Sequence, residues 1–94
     1  MLNTLIETRE EVKNDLKSRR KEQKDLIVYN DDVNTFDFVI DCLISICRHD
    51  KLQAEQCTLL VHYKGKCSVK RGPFNELEAL CVALLDKGLS ATIE

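Results

Sequence analysis

From residue 26 onward the chain switches between the two-residue apolar period of strands and the 3.6-residue period of helices. Leu26-Ile27-Val28-Tyr29 is a short β-branched and aromatic run and predicts a strand. Phe36, Val39, Ile40, Leu43 and Cys47 then recur at helical spacing, with Asn34 expected as N-cap and Asp37 in the capping-box position. Arg48-His49-Asp50 breaks this stripe, and Asp50 with Gln53 offers a second capping pair. A second helix over residues 51–64 is expected to bury Ala54, Cys57, Leu60 and Val61 and to stop at Gly65. Residues 66–70 alternate, Cys67 and Val69 against Lys66, Ser68 and Lys70, which predicts a half-exposed strand. Gly72-Pro73 ends it, and Pro73 suits the first turn of a third helix. That helix presents Leu77, Leu80, Cys81, Leu84 and Leu85 on one face and closes at Gly88, after which Leu89, Ala91 and Ile93 alternate inward. The predicted order is β-α-α-β-α-β, a two-layer α+β domain with a three-stranded sheet packed on three helices. Periodicity does not fix strand directions; an antiparallel sheet is the expectation.

Residues 7–25 are dense in alternating charge, with only Val12 and Leu16 apolar. Two such residues cannot hold a helix to a core, so residues 1–25 are expected to form a flexible charged arm and residues 26–94 the folded domain.

Composition narrows the function classes. The 94 residues suffice for one small core, and at 5% aromatic content that core must be aliphatic. A net charge of −2 gives no electrostatic case for nucleic acid. No run approaches the roughly 18–20 apolar residues that span a bilayer, and no signal peptide is visible, so a cytosolic monomer away from membranes is expected. Five cysteines show no C-x-x-C pair and no metal-ligand rhythm with His49 or His62. Their odd number argues against a closed disulfide framework, and they read as reduced core residues. No metal or cofactor is expected.

Two features remain unexplained by the scaffold. One is the Asn30-Asp31-Asp32 corner between the first strand and the first helix. Neighbouring carboxylates repel, and one Asp is enough for a turn; either this is an ordinary corner or the acids are aimed at a cation. The other is Val61-His62-Tyr63-Lys64-Gly65, which puts His62 in the last turn of the second helix. A helix C-terminus favours a protonated ring, whereas a neutral ring can accept a proton from a donor ligand. Catalysis has little to stand on: Cys57 and His62 are five apart on one helix and face different sides, and no phosphate cradle or Ser-His-Asp order is present.

Joined together, Y-N-D-D-x-x-T-F-x-F-V-I, V-H-Y-K-G-K and the closing L-x-x-x-I-E resemble the ClpS family, adaptors of the ATP-dependent Clp protease, over residues 26–94. The resemblance implies an adaptor for N-degron substrates, proteins whose free N-terminal residue is large and apolar, delivered to a hexameric AAA+ unfoldase of ClpA or ClpC type. It implies that Asn30, Asp32 and His62 hold the substrate's α-ammonium group, with Asp31, grouped with them, shaping the corner or reaching the partner. Val28, Phe36, Val39, Thr58, Val61 and Leu89 would line an apolar pocket. Lys64, Lys66, Asn75 and Glu78 are candidate unfoldase contacts, on the face near the second strand and third helix, and the N-terminal arm would enter the unfoldase during delivery. The usual x-T-P-M after N-D-D is here Val33-Asn34-Thr35-Phe36, and Thr58 stands where the family has a second pocket Met. These departures bear on how side chains are ranked. They also sustain an alternative, an interaction module of the same fold that binds the unfoldase but has lost or altered N-terminal recognition.

Overall fold

The structure is a computed structural model, and it describes residues 22–94. The elements are β1 (Gln23–Tyr29), α1 (Phe36–Ser45), α2 (Lys51–Lys64), β2 (Lys66–Pro73), α3 (Phe74–Asp86) and β3 (Ser90–Ile93). The order is the expected β-α-α-β-α-β. The sheet runs β2-β1-β3 with both pairings antiparallel, so β1 is central. Residues 1–21 of the expected arm lie outside the described residues.

β1 begins earlier than its apolar run because backbone pairing, not side-chain burial, extends it. Gln23 opposes Pro73, and Asp25 exchanges two backbone hydrogen bonds with Glu94, each 2.8 Å. The same pairing carries β2 on to Pro73, beyond the alternating segment. The β1–β2 register skips Val69, which leaves that residue's carbonyl outside the regular ladder. His49 Nε2 meets it at 2.6 Å. A carbonyl can only accept, so Nε2 carries the proton, and His49 ties the α1–α2 loop to the bulge.

The N-cap of α1 is Thr35, not Asn34: Thr35 Oγ1 accepts from Phe38 N at 3.1 Å, while Asn34 is engaged elsewhere. Asp50 caps α2 by accepting from Gln53 N at 2.7 Å. α2 ends at Gly65, whose φ of 89° lies in the left-handed region where a side chain is strained. Gly88, at φ 88°, does the same after α3.

The core is aliphatic and thiol-rich. Leu26, Leu43, Ala54 and Leu84 are fully enclosed, and Val28, Cys47, Leu77 and Leu89 nearly so. α3 packs across all three strands, whereas α2 packs against β2 and α1. The buried stripe of α2 is Ala54, Thr58 and Val61. Leu60 lies about 120° around the helix from that stripe and is exposed, contrary to the expected inward face. Leu85 of α3 is likewise about half exposed.

All five cysteines are free thiols, four of them buried and Cys57 half-buried. Burial raises the pKa of Cys42 and Cys81, and lifts Cys47 to about 11. Cys67 rises to about 12, through burial first and the neighbouring Cys57 thiol second. No described helix is long and apolar enough to cross a membrane.

Candidate functional site

The end of β1 is fixed against the end of α2 by one backbone bond: Asn30 N donates to Gly65 O at 2.9 Å. The left-handed turn at Gly65 presents that carbonyl, and the bond brings the acidic corner beside the last turn of α2, where His62 sits. From two separate stretches of the sequence, the corner and α2 thus wall one cavity of about 390 Å³. Asn30, Asp31, Asp32, Asn34 and His62 supply its polar wall, and Phe36, Val39, Thr58 and Val61 the rest.

The two adjacent carboxylates have different surroundings. Asp31 Oδ1 accepts from Val33 N at 3.0 Å and Asn34 N at 2.8 Å, and Oδ2 accepts from Asn34 Nδ2 at 2.8 Å. The Asn34 backbone N–H, then its side-chain amide and Val33 N–H, hold the Asp31 carboxyl below its ordinary value against a smaller desolvation effect. Asp31 therefore builds the turn with both oxygens. Asp32 is exposed, and its carboxylate makes no hydrogen bond or ion pair with another described residue. The same holds for the Asn30 side chain and for both ring nitrogens of His62, whose ring makes an edge contact with Tyr63 at 5.0 Å between centroids. Three uncommitted acceptor-bearing side chains thus share one cavity wall.

The apolar part of the wall is smaller than the sequence suggested. Val39 and Val61 are buried with one side on the cavity, and Phe36, 39% exposed, stands at the start of α1. Thr58 is buried with its hydroxyl donated to Ala54 O at 2.7 Å, so its donor is satisfied within α2. Val28 and Leu89 do not line the cavity. They belong to the buried core, Val28 from the central strand β1 and Leu89 from the turn between α3 and β3. Asn34, read as a helix cap, is a lining residue instead.

The candidate unfoldase contacts do not form one patch. Lys64 and Lys66 flank Gly65, with the Lys66 ammonium 6.0 Å from the Tyr29 ring centre, whereas Asn75 and Glu78 follow the far end of β2. The strand separates the two pairs by about 23 Å. All four side chains are exposed.

An acceptor cluster for a cationic donor beside an apolar wall is the chemistry of a recognition site. A model of the family described as ATP-dependent Clp protease adaptor protein ClpS matches residues 19–92, and the chain belongs to that family. Its members are substrate adaptors, not enzymes. The structure of Agrobacterium tumefaciens ClpS2 bound to L-phenylalaninamide is similar in fold, with a TM-score of 0.75 at 21% identity, over 80% of this chain and 96% of that one. No curated protein sequence matches the chain significantly.

Proposed function

We propose that this adaptor binds proteins whose free N-terminal residue is Leu, Phe, Tyr or Trp and delivers them, as a cytoplasmic monomer, to a hexameric ClpA- or ClpC-type AAA+ unfoldase. The observation that carries the reading is the coincidence of three uncommitted acceptors, on Asn30, Asp32 and His62, with the apolar surface of Phe36, Val39 and Val61 in one cavity. An α-ammonium has three donors and one positive charge, and needs acceptors converging from different directions. Asn30 Oδ1, the Asp32 carboxylate and an unprotonated His62 nitrogen meet that need, each charge-assisted bond contributing roughly 1.5–3 kcal/mol. The apolar wall then tests the side chain; burying one of Leu or Phe size contributes about 1.5–3 kcal/mol. The ligand held by the similar Agrobacterium protein combines a free amino group with a benzyl side chain, the chemistry assigned here.

Phe36 is stiffer than the usual Met at the cavity entrance, and Thr58 is shorter than the usual Met in its wall, so this chain should favour planar aromatic over β-branched first residues. The test is fluorescence anisotropy with a peptide beginning in free Phe and its N-acetylated twin. Acetylation removes the charge and at least two of three donated bonds, an expected loss of 100-fold or more. Equal binding of the two peptides would reject ammonium recognition. Binding of neither, with unfoldase binding intact, would favour a module that has kept its partner and lost its substrate.

A further inference from the structure

Asn34 departs from the family pattern and is not needed as a helix cap, yet its side chain is held by two hydrogen bonds on the cavity wall. Its Nδ2 donates one hydrogen to Asp31 Oδ2 at 2.8 Å and the other to Gly88 O at 2.9 Å. These partners fix the amide's orientation: a flip would place Oδ1 against a carboxylate oxygen and a carbonyl oxygen. Both donors are thereby committed to acceptors of the protein itself, and the left-handed Gly88 turn anchors one of them. Oδ1 is left as an acceptor without a partner among the described residues, on a side chain that lines the cavity.

We infer that Asn34 is a further substrate-binding residue, whose Oδ1 accepts the backbone N–H of the substrate's second residue. This rests on the proposed recognition of a free N-terminus. Once Asn30, Asp32 and His62 hold the ammonium, the next donor along a bound peptide is the first peptide N–H. It lies one residue further on, a span of about 3.5 Å, against roughly 7 Å for the edge of a cube that holds the cavity's volume of about 390 Å³. The amide is held in place before binding, so making this bond costs little side-chain ordering. The chain therefore reads the first peptide bond as well as the terminal amine, and discriminates against substrates whose second residue is proline, which has no N–H.

The experiment uses the full chain and two peptides with the same free N-terminal Phe. In one, an ester oxygen replaces the N–H of the second residue. The ester peptide should bind about tenfold more weakly to the unaltered protein, the size of one hydrogen bond. In Asn34→Ala the amide and ester peptides should bind alike. The ratio within one variant cancels any general distortion of the corner. If Asn34→Ala does not fold, Asn34→Lys makes the same comparison; its ammonium can still donate to Asp31, and it carries no acceptor. Equal affinity for ester and amide in the unaltered protein overturns the inference, and so does a tenfold ratio that survives in the variants. Failure of the amide peptide itself to bind would instead remove ammonium recognition, and this inference with it.

Discussion

Replacing Asp32 with Ala removes a carboxylate that makes no hydrogen bond or ion pair with another described residue, whereas replacing Asp31 removes the acceptor of three hydrogen bonds. The two substitutions, one position apart, should therefore fail in opposite ways. For Asp32→Ala the stability change should stay within about 0.5 kcal/mol, as for exposed positions without partners. The peptide, however, loses a charge-assisted bond of about 1.5–3 kcal/mol, a fall in affinity of about 10- to 150-fold. For Asp31→Ala, water replaces part of what is lost because the carboxylate is half exposed, leaving a net cost of about 1–2 kcal/mol. In a domain of this size that lowers Tm by about 5–15 °C. Affinity should fall less than in Asp32→Ala, because the ammonium keeps its direct acceptors. Scanning calorimetry and anisotropy with a Phe-first peptide, run on both variants, measure the four quantities. The reasoning is refuted if Asp32→Ala melts several degrees early, if it binds within twofold of the parent, or if Asp31→Ala is the weaker binder at unchanged Tm.

Other consequences are as direct. His49→Ala should cost about 2–3 kcal/mol and leave peptide affinity intact when measured below the new Tm, since it orphans the buried Val69 carbonyl far from the cavity wall. Near-parental unfolding in denaturant would show that water takes over that bond. Cys42, Cys47, Cys67 and Cys81 should resist iodoacetamide at neutral pH in the folded protein and react after denaturation, because burial raises all four and only the thiolate attacks. Mass spectrometry of the native protein counts the modified sites, and fast labelling of Cys47 or Cys67 would contradict the packing described. Asp31 is held below its unfolded value, so its stabilisation is complete above the ordinary carboxylate range near pH 3.9 and is lost as pH falls through the lowered folded value. Asp31→Asn should therefore melt earlier than the parent at pH 7, with the gap closing below about pH 4; a gap independent of pH would assign the effect to something other than the charge.

Regular elements were legible in the sequence because local chemistry decides them. Asp50 with Gln53, Gly65 and Gly88 mark helix ends through capping and left-handed geometry, and apolar spacing places the three helices within a residue or two. The errors arose where a side chain had two competing partners or a face was set by tertiary packing. Asn34 and Thr35 are both good caps, and the choice fell to Thr35 because Asp31 and Gly88 claim the Asn34 amide. Leu60 shares an apolar spacing with Cys57, but α2 is rotated so that Thr58 is the centre of its buried stripe. Within the acidic corner Asp31 serves the turn, whereas Asp32 and His62 stand out because no hydrogen bond of the scaffold uses them. Val28 and Leu89 are expected on the cavity, yet one is buried on the central strand and the other in the turn before β3, both within the core. His49 was missed altogether, since a β-bulge is a property of paired strands and leaves no mark on the alternation of one of them.

The central position of β1 has a kinetic consequence. Both of its neighbours come from much later in the sequence, and β3 joins it only at the last described residues. Helices can form from nearby contacts in microseconds, but the sheet must wait for loop closures over tens of residues, which makes assembly slow for a domain this small. The corner that follows β1 and the helix end it meets acquire their mutual arrangement only when that sheet closes. On the proposed reading of that corner, a nascent or partly folded copy would be unable to sequester cargo, and binding would arise only with the completion of folding.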